Sequence, residues 1–346
     1  MEQASKHILV IRLSAMGDVA MTVPVLQAMA RSYPTVKITV VSRAFFAPIF
    51  QHIPNVTFYT ADVKGTHKGI IGLYKLYKEL KTLQIDLIAD LHNVLRSKIL
   101  GAFFKLSGYK ICQIDKGRAE KKALTSATGK IFSQLKTTHE RYAAVFRNLG
   151  YYVKLSPEDT LEPLKTTKNI TSFLGLTGQK CIGIAPFAAF EGKTYPIAQM
   201  EQVLAKLNDT EKYTIVLFGG KADAQQFAAW EHTFEHVLNA AGHFSFEEEL
   251  ILISNLDLML SMDSGNAHLA AMFGRKVITI WGVTHPYAGF YPYGQPIENA
   301  LLADRETYPL VPTSIYGNKY PAGYENVMQT ITPETVFEKI VKVIEA

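Results

Sequence analysis

The sequence has few cysteines and no long apolar run. Cys112 and Cys181 are the only cysteines in 346 residues, and they do not form a CxxC pair. Neither a disulfide framework nor a thiolate metal site is therefore indicated. No apolar stretch approaches the roughly 18 residues that a membrane-spanning helix requires, and residues 1–6 lack the apolar segment of a signal peptide. We therefore expect a cytoplasmic protein.

Several common catalytic motifs are also missing. The sequence has neither a GxSxG nucleophile elbow nor a GxxxxGK[ST] phosphate loop, which removes the commonest hydrolase and NTPase signatures. The turn after the first predicted strand contains one glycine, Gly17, instead of GxGxxG, so a dehydrogenase is disfavoured. His232 and His236 match the HxxEH spacing of zinc peptidases, but no third ligand is evident. We predict no metal site.

The patterns that are present indicate an α/β protein. Hydrophobic residues make up 48% of the chain and charged residues 19%, and the length suits two domains. Short β-branched runs alternate with segments of helical periodicity, which predicts parallel strands joined by right-handed crossovers. Strands are predicted at residues 7–13, 36–42, 56–60, 85–91, 181–186, 213–218, 256–260 and 276–281, and helices at 21–33, 69–83, 198–207, 222–234, 246–254, 267–273 and 333–344.

The strand and helix order starts again after a weakly patterned stretch that contains Pro157 and Pro163. We therefore predict two tandem, Rossmann-like, doubly wound domains that face a cleft, with boundaries at residues 1–160 and 161–346. The last helix, residues 332–345, is a candidate to pack back on the N-terminal domain. It has Thr332 as a plausible N-cap and Pro333 at its first position.

The charge is unevenly distributed along the chain. The net charge is +5, but residues 64–136 carry 15 basic and 5 acidic side chains, which leaves −5 for the remainder. This asymmetry favours an anionic partner for the first half, such as nucleic acid, a phosphorylated substrate or an acidic membrane surface. The alternative is a set of solvated helix faces.

The turn after the first strand carries a candidate catalytic carboxylate. Gly17 and Asp18 lie between a strand and a helix, where backbone N–H groups are available to an anion. Asp18 could serve as a general base. Its alternative role is a helix N-cap, which aspartate often fills.

A second cluster lies in the C-terminal half. Asp263, Ser264 and Gly265 stand between a buried strand and a helix whose first turn carries His268. The amides and dipole of that helix suit a diphosphate, and His268 could add a hydrogen-bond donor. Helix caps and a core histidine are the alternative. Lys193, on a glycine-containing loop at another strand end, is a natural point charge for phosphate, although most single lysines are only solvated.

Four segments carry a family resemblance: ILVIRLSAMGDVAMTVPVLQAM at 8–29, DLHNVLRS at 90–97, GKTYP at 192–196 and LISNLDLMLSMDSGNAHLAAMFGRKVITIWGVTHP at 252–286. Together, and in this order, they resemble glycosyltransferase family 9, the heptosyltransferases of bacterial lipopolysaccharide assembly. The resemblance implies the two-domain GT-B fold. The sequence departs from the family at Ala188 and Ala189, where hydroxyl residues are frequent, and at His92 and Asn93, where Gln-Gly is common.

The resemblance also implies a role for each candidate residue. Asp18 would take the proton from an acceptor hydroxyl as its oxygen attacks the anomeric carbon of a nucleotide-activated sugar, with inversion. Lys193 would contact the donor phosphate. The donor pocket would be lined by Asp263, Ser264, Gly265 and His268, and the acceptor would be contacted by Met16, Gly17 and Arg96. ADP-heptose is the implied donor, and a phosphorylated core-lipid saccharide is the implied acceptor.

The expected partners follow from this resemblance. Beyond the nucleotide-sugar co-substrate no cofactor is expected to be required, and any Mg²⁺ would be non-essential. The protein is expected to act on an anionic lipid-linked saccharide at the inner face of the cytoplasmic membrane, as a peripheral protein, without nucleic acid. Two other functions stay open: a sugar-nucleotide epimerase of GT-B architecture and a non-catalytic nucleotide-sugar-binding protein.

Overall fold

The computed structural model describes residues 6–175 and 178–346, which form two compact units. The first unit contains the residues up to Lys116 together with Thr138–Leu161, and the second contains Gly117–Thr137 together with the residues from Glu162 onward. Each unit has one sheet covered by helices. Within the described ranges, no helix combines the length and the apolarity that crossing a bilayer requires.

The strands and helices are numbered in chain order. The strands are β1 (His7–Ile11), β2 (Lys37–Ser42), β3 (Val56–Thr60), β4 (Leu87–Asp90), β5 (Lys110–Gln113), β6 (Lys180–Ala185), β7 (Tyr213–Leu217), β8 (Val237–Asn239), β9 (Leu258–Met262), β10 (Lys276–Trp281) and β11 (Ala300–Leu302). The α-helices are α1 (Met16–Ala20), α2 (Val23–Ser32), α3 (Gly69–Lys81), α4 (Leu95–Leu106), α5 (Arg118–Leu124), α6 (Thr138–Leu149), α7 (Lys168–Leu174), α8 (Ile197–Asn208), α9 (Ala224–Thr233), α10 (Phe246–Ser254), α11 (Gly265–Ala271) and α12 (Pro333–Glu345).

The first sheet has the strand order β3-β2-β1-β4-β5, with every neighbouring pair parallel. The chain leaves β1 toward one edge and later returns to place β4 on the other side, so the strand order reverses between β1 and β4. Leu9 and Ile11 of β1 are fully buried in one cluster with Leu76 and Leu80 of α3. This core fixes the position of the carboxyl end of β1.

The second sheet repeats this topology with one more strand. Its order is β11-β10-β9-β6-β7-β8, again with parallel neighbours, and it reverses between β6 and β9. Ile182 and Ile184 of β6 and Leu258 and Leu260 of β9 are fully buried in its core. The predicted α/β class with two doubly wound sheets is therefore confirmed.

The helix predicted at residues 21–33 begins earlier and is interrupted. α1 ends at Ala20 and α2 begins at Val23, with Pro24 in the first turn of α2. Proline lacks an N–H and its ring clashes with the carbonyl one turn earlier, so it suits the start of a helix and not the interior. Gly17 and Asp18 lie in the short helix α1, which follows β1 after residues 12–15, and not in a turn.

Residues 117–137 pack within the second unit, whereas the predicted N-terminal domain, 1–160, included them. Leu124 and Leu135 are buried in a small cluster with Ala288. The guanidinium carbon of Arg305 lies 3.5 Å from the centre of the Phe132 ring. Apolar burial and this cation–π contact tie the segment to the second unit.

The last helix, α12, begins as predicted. The Thr332 hydroxyl oxygen accepts the Thr335 N–H at 3.2 Å, and Pro333 occupies the first helical position. The helix packs on α8, β9 and β10 of its own unit. Its packing on the N-terminal domain stays a prediction.

Candidate active site

The candidate residues form two sets, one in each unit. Each set lies directly after the two neighbouring strands between which the strand order reverses. In the first unit, residues 12–18 follow β1 and residues 91–96 follow β4, which is its parallel neighbour. In the second unit, residues 186–196 follow β6 and residues 263–268 follow β9, also parallel neighbours. Open α/β sheets bind ligands at the carboxyl ends of strands where the order reverses. Each unit therefore has a candidate site at this edge.

Asp18 is the third residue of α1, and a buried arginine holds its carboxylate. Arg12 Nη2 lies 2.6 Å from Asp18 Oδ2, and the Arg12 side chain is 6% exposed against 30% for Asp18. The same oxygen accepts the Ala15 N–H at 3.4 Å. Asp18 therefore caps α1 from its third position, while Ala15 is the N-cap. Among the described residues none donates a hydrogen bond to Oδ1 of Asp18, which leaves this second oxygen available to a ligand.

The Arg12–Asp18 pair is held from the protein interior. Arg12 Nη1 donates to the Leu91 carbonyl at 2.8 Å, and the Tyr142 hydroxyl donates to the Asp18 carbonyl at 3.2 Å. Burial raises the pKa of Tyr142, so its hydroxyl stays a protonated donor. Arg12 Nε is buried and finds no hydrogen-bond partner in the described residues. This network restricts the Asp18 carboxylate to one orientation.

His92 is a buried neutral imidazole next to this pair. Its Nδ1 accepts the Leu13 N–H at 3.4 Å, so its proton lies on Nε2, which is 3.5 Å from Ser14 Oγ. Burial first, and then the charges of Arg12 and Lys116, lower the pKa of His92 to about 3. At neutral pH His92 therefore adds a hydrogen bond without adding a charge.

The loop after β4 is shaped by the buried carboxylate of Asp90. Asp90 Oδ1 accepts the N–H groups of His92 and Asn93, each at 2.9 Å, and Oδ2 accepts Gln113 Nε2 at 3.0 Å. Asn93 has a φ of 45°, a left-handed conformation that asparagine tolerates. Its Oδ1 is buried without a hydrogen-bond partner in the described ranges. The loop is therefore rigid and retains one unused acceptor.

The predicted acceptor residues lie at this same edge of the first sheet. Met16 and Gly17 are the half-buried first two residues of α1. Arg96 is an exposed residue in the first turn of α4. The topology thus places a cation and the Asp18 carboxylate at the carboxyl ends of adjacent strands.

In the second unit, Lys193 and Asp263 are brought together. Lys193 Nζ donates to the Asp263 backbone carbonyl and lies 3.4 Å from Asp263 Oδ2. The two side chains are 14% and 9% exposed. Because an ammonium group has three N–H donors, one donor remains for an incoming phosphate oxygen.

Glycines allow the Lys193 side chain to reach this position. Gly317 has a φ of 78°, and a Cβ there would overlap Lys193 Cγ. A Cβ on Gly192 would lie 2.7 Å from the Gly317 carbonyl oxygen, and one on Gly282 would lie 2.5 Å from the Gly192 carbonyl oxygen. Three backbone segments therefore meet around Lys193 without room for side chains.

The other predicted donor residues surround α11. Ser264 is the N-cap residue of α11, but its hydroxyl lies 3.0 Å from Ser261 Oγ and does not cap the helix. Gly265 is the first helical residue, and His268 is 8% exposed. The structure thus places Ser264 and Gly265 next to Asp263, with His268 one turn further along and nearly buried.

Thr284 was not singled out from the sequence. It is 1% exposed, and its hydroxyl finds no hydrogen-bond partner among residues 6–175 and 178–346. It follows β10, and the neighbouring Val283 N–H donates to the Gly192 carbonyl at 3.0 Å, next to Lys193. Such orphaned polar groups are rare in protein interiors. Arg12 was missed as well, although a charged residue directly after an apolar strand was a usable signal.

The HxxEH pattern does not form a two-histidine helical face. α9 ends at Thr233, so His236 lies beyond the helix that carries His232. In the described part of the chain, no group of three or more His, Cys, Asp or Glu side chains is arranged to hold a metal ion.

Comparisons with known proteins agree on one family. The family model described as glycosyltransferase family 9 (heptosyltransferase) matches residues 73–318. Lipooligosaccharide heptosyltransferase 2 of Haemophilus influenzae is 27% identical, covering 96% of this chain and 98% of that protein. The family 9 glycosyltransferase of Veillonella parvula has a similar structure, with a TM-score of 0.75, 20% identity and coverage of 100% and 99%. Escherichia coli ADP-heptose lipopolysaccharide heptosyltransferase II gives a TM-score of 0.69, 20% identity and 98% coverage of both chains.

Proposed function

The chain belongs to glycosyltransferase family 9, and we propose that it transfers heptose from ADP-heptose to a lipopolysaccharide inner-core saccharide with inversion, using Asp18 as general base. The names of its relatives support these substrates, since one is a lipooligosaccharide heptosyltransferase and another is an ADP-heptose lipopolysaccharide heptosyltransferase. We also propose that no metal cofactor is required. The excess of basic residues between 64 and 136 supports peripheral association with the inner face of the cytoplasmic membrane.

The observation that carries the base assignment is the asymmetry of the Asp18 carboxylate. Oδ2 is held by Arg12 and the Ala15 N–H, while Oδ1 is open at the carboxyl edge of the sheet. In the proposed step the acceptor O–H proton passes to Oδ1 and the acceptor oxygen bonds to the anomeric carbon. The bond from that carbon to the diphosphate oxygen breaks, and ADP leaves with the bonding electrons. A carboxylate held in this way avoids reorientation during the reaction.

The second unit supplies the groups for the departing diphosphate. Lys193 would offer its remaining N–H donor to a phosphate oxygen, and Asp263 would keep the ammonium in place. The Ser264 and Gly265 amides, at the start of α11, and the Thr284 hydroxyl would add neutral donors. His268 would line the same pocket. Met16, Gly17 and Arg96 would contact the anionic acceptor.

Replacing Asp18 by asparagine tests the base. Asp18→Asn keeps the size of the side chain and an oxygen for Arg12, but the amide cannot take a proton. We expect transfer to fall by about 10²–10⁴-fold, the usual contribution of a general base. ADP-heptose should still raise the melting temperature, because donor binding is assigned to the other unit. Asp209→Asn, at an exposed position, is the matched control.

Transfer by Asp18→Asn at the wild-type rate would show that the base is another group. The same assay separates the alternative functions. Heptose release must depend on the saccharide acceptor; conversion of the donor without any acceptor would indicate an epimerase. Donor binding with no turnover on any acceptor would indicate a binding protein.

A further inference from the structure

The outer surfaces of α3 and α4 expose large apolar side chains. Ile71 is 88% exposed and Leu106 is 86% exposed. Both helices have well-packed inner faces, so these side chains are additional to the core. We call the following set the basic–apolar face: Ile70, Ile71, Tyr74, Lys75 and Lys78 of α3, and Leu95, Lys98, Lys105 and Leu106 of α4.

The two helices form one continuous surface. α3 packs against α4, and the rings of Tyr74 and Phe103 meet with their centroids 5.3 Å apart. The Tyr77 hydroxyl lies 2.6 Å from Ser107 Oγ. The face therefore belongs to a rigid helix pair and not to two separately moving segments.

The basic–apolar face carries four lysines and no acidic side chain. The single acidic residue of α3 and α4 is Glu79. Glu79 Oε2 accepts the Tyr59 hydroxyl at 2.8 Å and His67 Nε2 at 2.9 Å, so its charge is used within the unit. Lys78 Nζ lies 4.9 Å from the centre of the Tyr74 ring. The lysines thus project beside apolar and aromatic groups without acidic partners of their own on these helices.

We propose that the basic–apolar face docks on an anionic lipid bilayer, with Ile71 and Leu106 entering the headgroup region and the lysines contacting lipid phosphates. Exposed apolar side chains next to lysines are complementary to a surface that is apolar and anionic in the same place, and a bilayer interface is such a surface. A nucleic acid would leave the isoleucines and leucines in water. The inference deepens the proposed membrane association by naming its surface, which lies outside the catalytic residues.

The apolar part is tested with Ile71→Glu combined with Leu106→Glu. We expect the partition of the full-length protein onto phosphatidylglycerol vesicles to fall at least tenfold, because each substitution adds a charge that the lipid phosphates repel. Ile297→Glu, at a position 53% exposed in the second unit, is the matched control and should bind as the wild type does. Unchanged melting temperatures will show that all variants are folded.

The charged part is tested with Lys75→Glu combined with Lys105→Glu. Each lysine near an anionic surface contributes about a fivefold change in partition, so the double reversal should reduce binding at least tenfold and flatten its salt dependence. Lys212→Glu with Lys342→Glu changes the net charge equally at exposed positions in the second unit and should have little effect. Phosphatidylcholine vesicles should bind the wild type weakly.

Equal vesicle binding by the wild type and both double variants would overturn the proposal. A change from dimer to monomer in light scattering, with vesicle binding unaffected, would also overturn it and assign the face to contacts between copies. Transfer to a deacylated inner-core acceptor in solution should be unchanged in the variants. If the wild type transferred no sugar but its vesicle binding required this face, the proposed reaction would fail and the docking surface would stand.

Discussion

At the scale of single residues, the reach of Lys193 depends on a glycine more than a hundred positions away. Gly317 has a φ of 78° and no room for a Cβ beside Lys193 Cγ. We expect Gly317→Ala to push the ammonium away from Asp263 and to weaken ADP-heptose binding about tenfold or more, because hydrogen bonds to charged groups contribute about 1.5–3 kcal/mol. Calorimetric titration with ADP-heptose measures this change.

Gly323 offers a control for the backbone contribution. It has a φ of 85°, but a Cβ there meets no atom within 4 Å. Gly323→Ala should therefore lower stability by about 1–2 kcal/mol through left-handed strain alone, and it should leave donor affinity unchanged. Equal loss of donor affinity in both variants would mean that Lys193 is not positioned by Gly317.

Around Asp18 and Lys193, the sequence allowed us to single out only those residues that belong to a recognisable local motif. Asp18 and Asp263 were singled out because a carboxylate between a strand and a helix is a local pattern, and Lys193 was singled out because it stands on a glycine-containing loop. The pairing of Lys193 with Asp263, like that of Arg12 with Asp18, was not predicted, because it depends on which loops the topology brings together. The orphaned hydroxyl of Thr284 could not be predicted, because only three-dimensional packing shows that it lacks a partner.

At the scale of elements, the central strands of the described residues were predictable, and three of the four edge strands were not. All eight predicted strands are present. Seven of them are central parallel strands, which are buried on both faces and read as apolar runs, and the eighth, β3, is an edge strand of five residues. The three further strands in the described residues, β5, β8 and β11, are short edge strands with one neighbour each. Half-exposed strands of three or four residues leave no periodic signal.

The segment 117–137 is held in the second unit by the half-buried Lys130. Its Nζ donates to the carbonyls of Leu124, Leu310 and Pro312 at 2.9, 2.9 and 2.7 Å. Burial and the charge of Arg305 lower the pKa of Lys130. Lys130→Met would leave three carbonyl groups without their donor, so we expect a loss of about 3 kcal/mol in the free energy of unfolding.

Limited trypsin digestion measures the same effect locally. Lys130→Met should be cleaved faster within residues 118–122, because the segment opens more often. Lys212→Met, at an exposed position of the second unit outside this segment, removes a charge without changing the carbonyl contacts or the cleavage sites within 118–122 and is the control. If both variants resisted trypsin equally, apolar packing alone would account for the attachment of this segment.

At the scale of the molecule, the two units use the same plan without a visible sequence repeat. Each places a cation against a carboxylate at the reversal of strand order, Arg12 with Asp18 in one unit and Lys193 with Asp263 in the other. The two pairs differ in which atoms of the aspartate the cation contacts. Arg12 takes one side-chain oxygen and leaves Asp18 Oδ1 open, while Lys193 also binds the Asp263 backbone carbonyl. This difference suits a base in one unit and a phosphate site in the other.

Each unit also buries a neutral imidazole, and this makes the whole molecule sensitive to acid. His92 Nδ1 accepts the Leu13 N–H, and His285 Nδ1 accepts the Tyr287 N–H. Burial is the main cause that lowers the pKa of His92 to about 3 and that of His285 to about 4, from 6.5. The folded state therefore binds fewer protons than the unfolded state between pH 6.5 and 4, and stability falls as the pH falls through this window.

Between pH 7 and pH 5, protonation linked to each imidazole should lower the free energy of unfolding by about 2 kcal/mol, because each pH unit below 6.5 contributes about 1.36 kcal/mol. His92→Asn places an amide oxygen where Nδ1 accepts the Leu13 N–H and removes the ionisable group. Urea unfolding measures the fall in the free energy of unfolding from pH 7 to pH 5, and this fall should be about 2 kcal/mol smaller in His92→Asn than in the wild type. In His243→Asn, changed at an exposed position, the free energy of unfolding should fall as much as it does in the wild type. An equal loss in all three proteins would show that protonation of His92 is not coupled to unfolding.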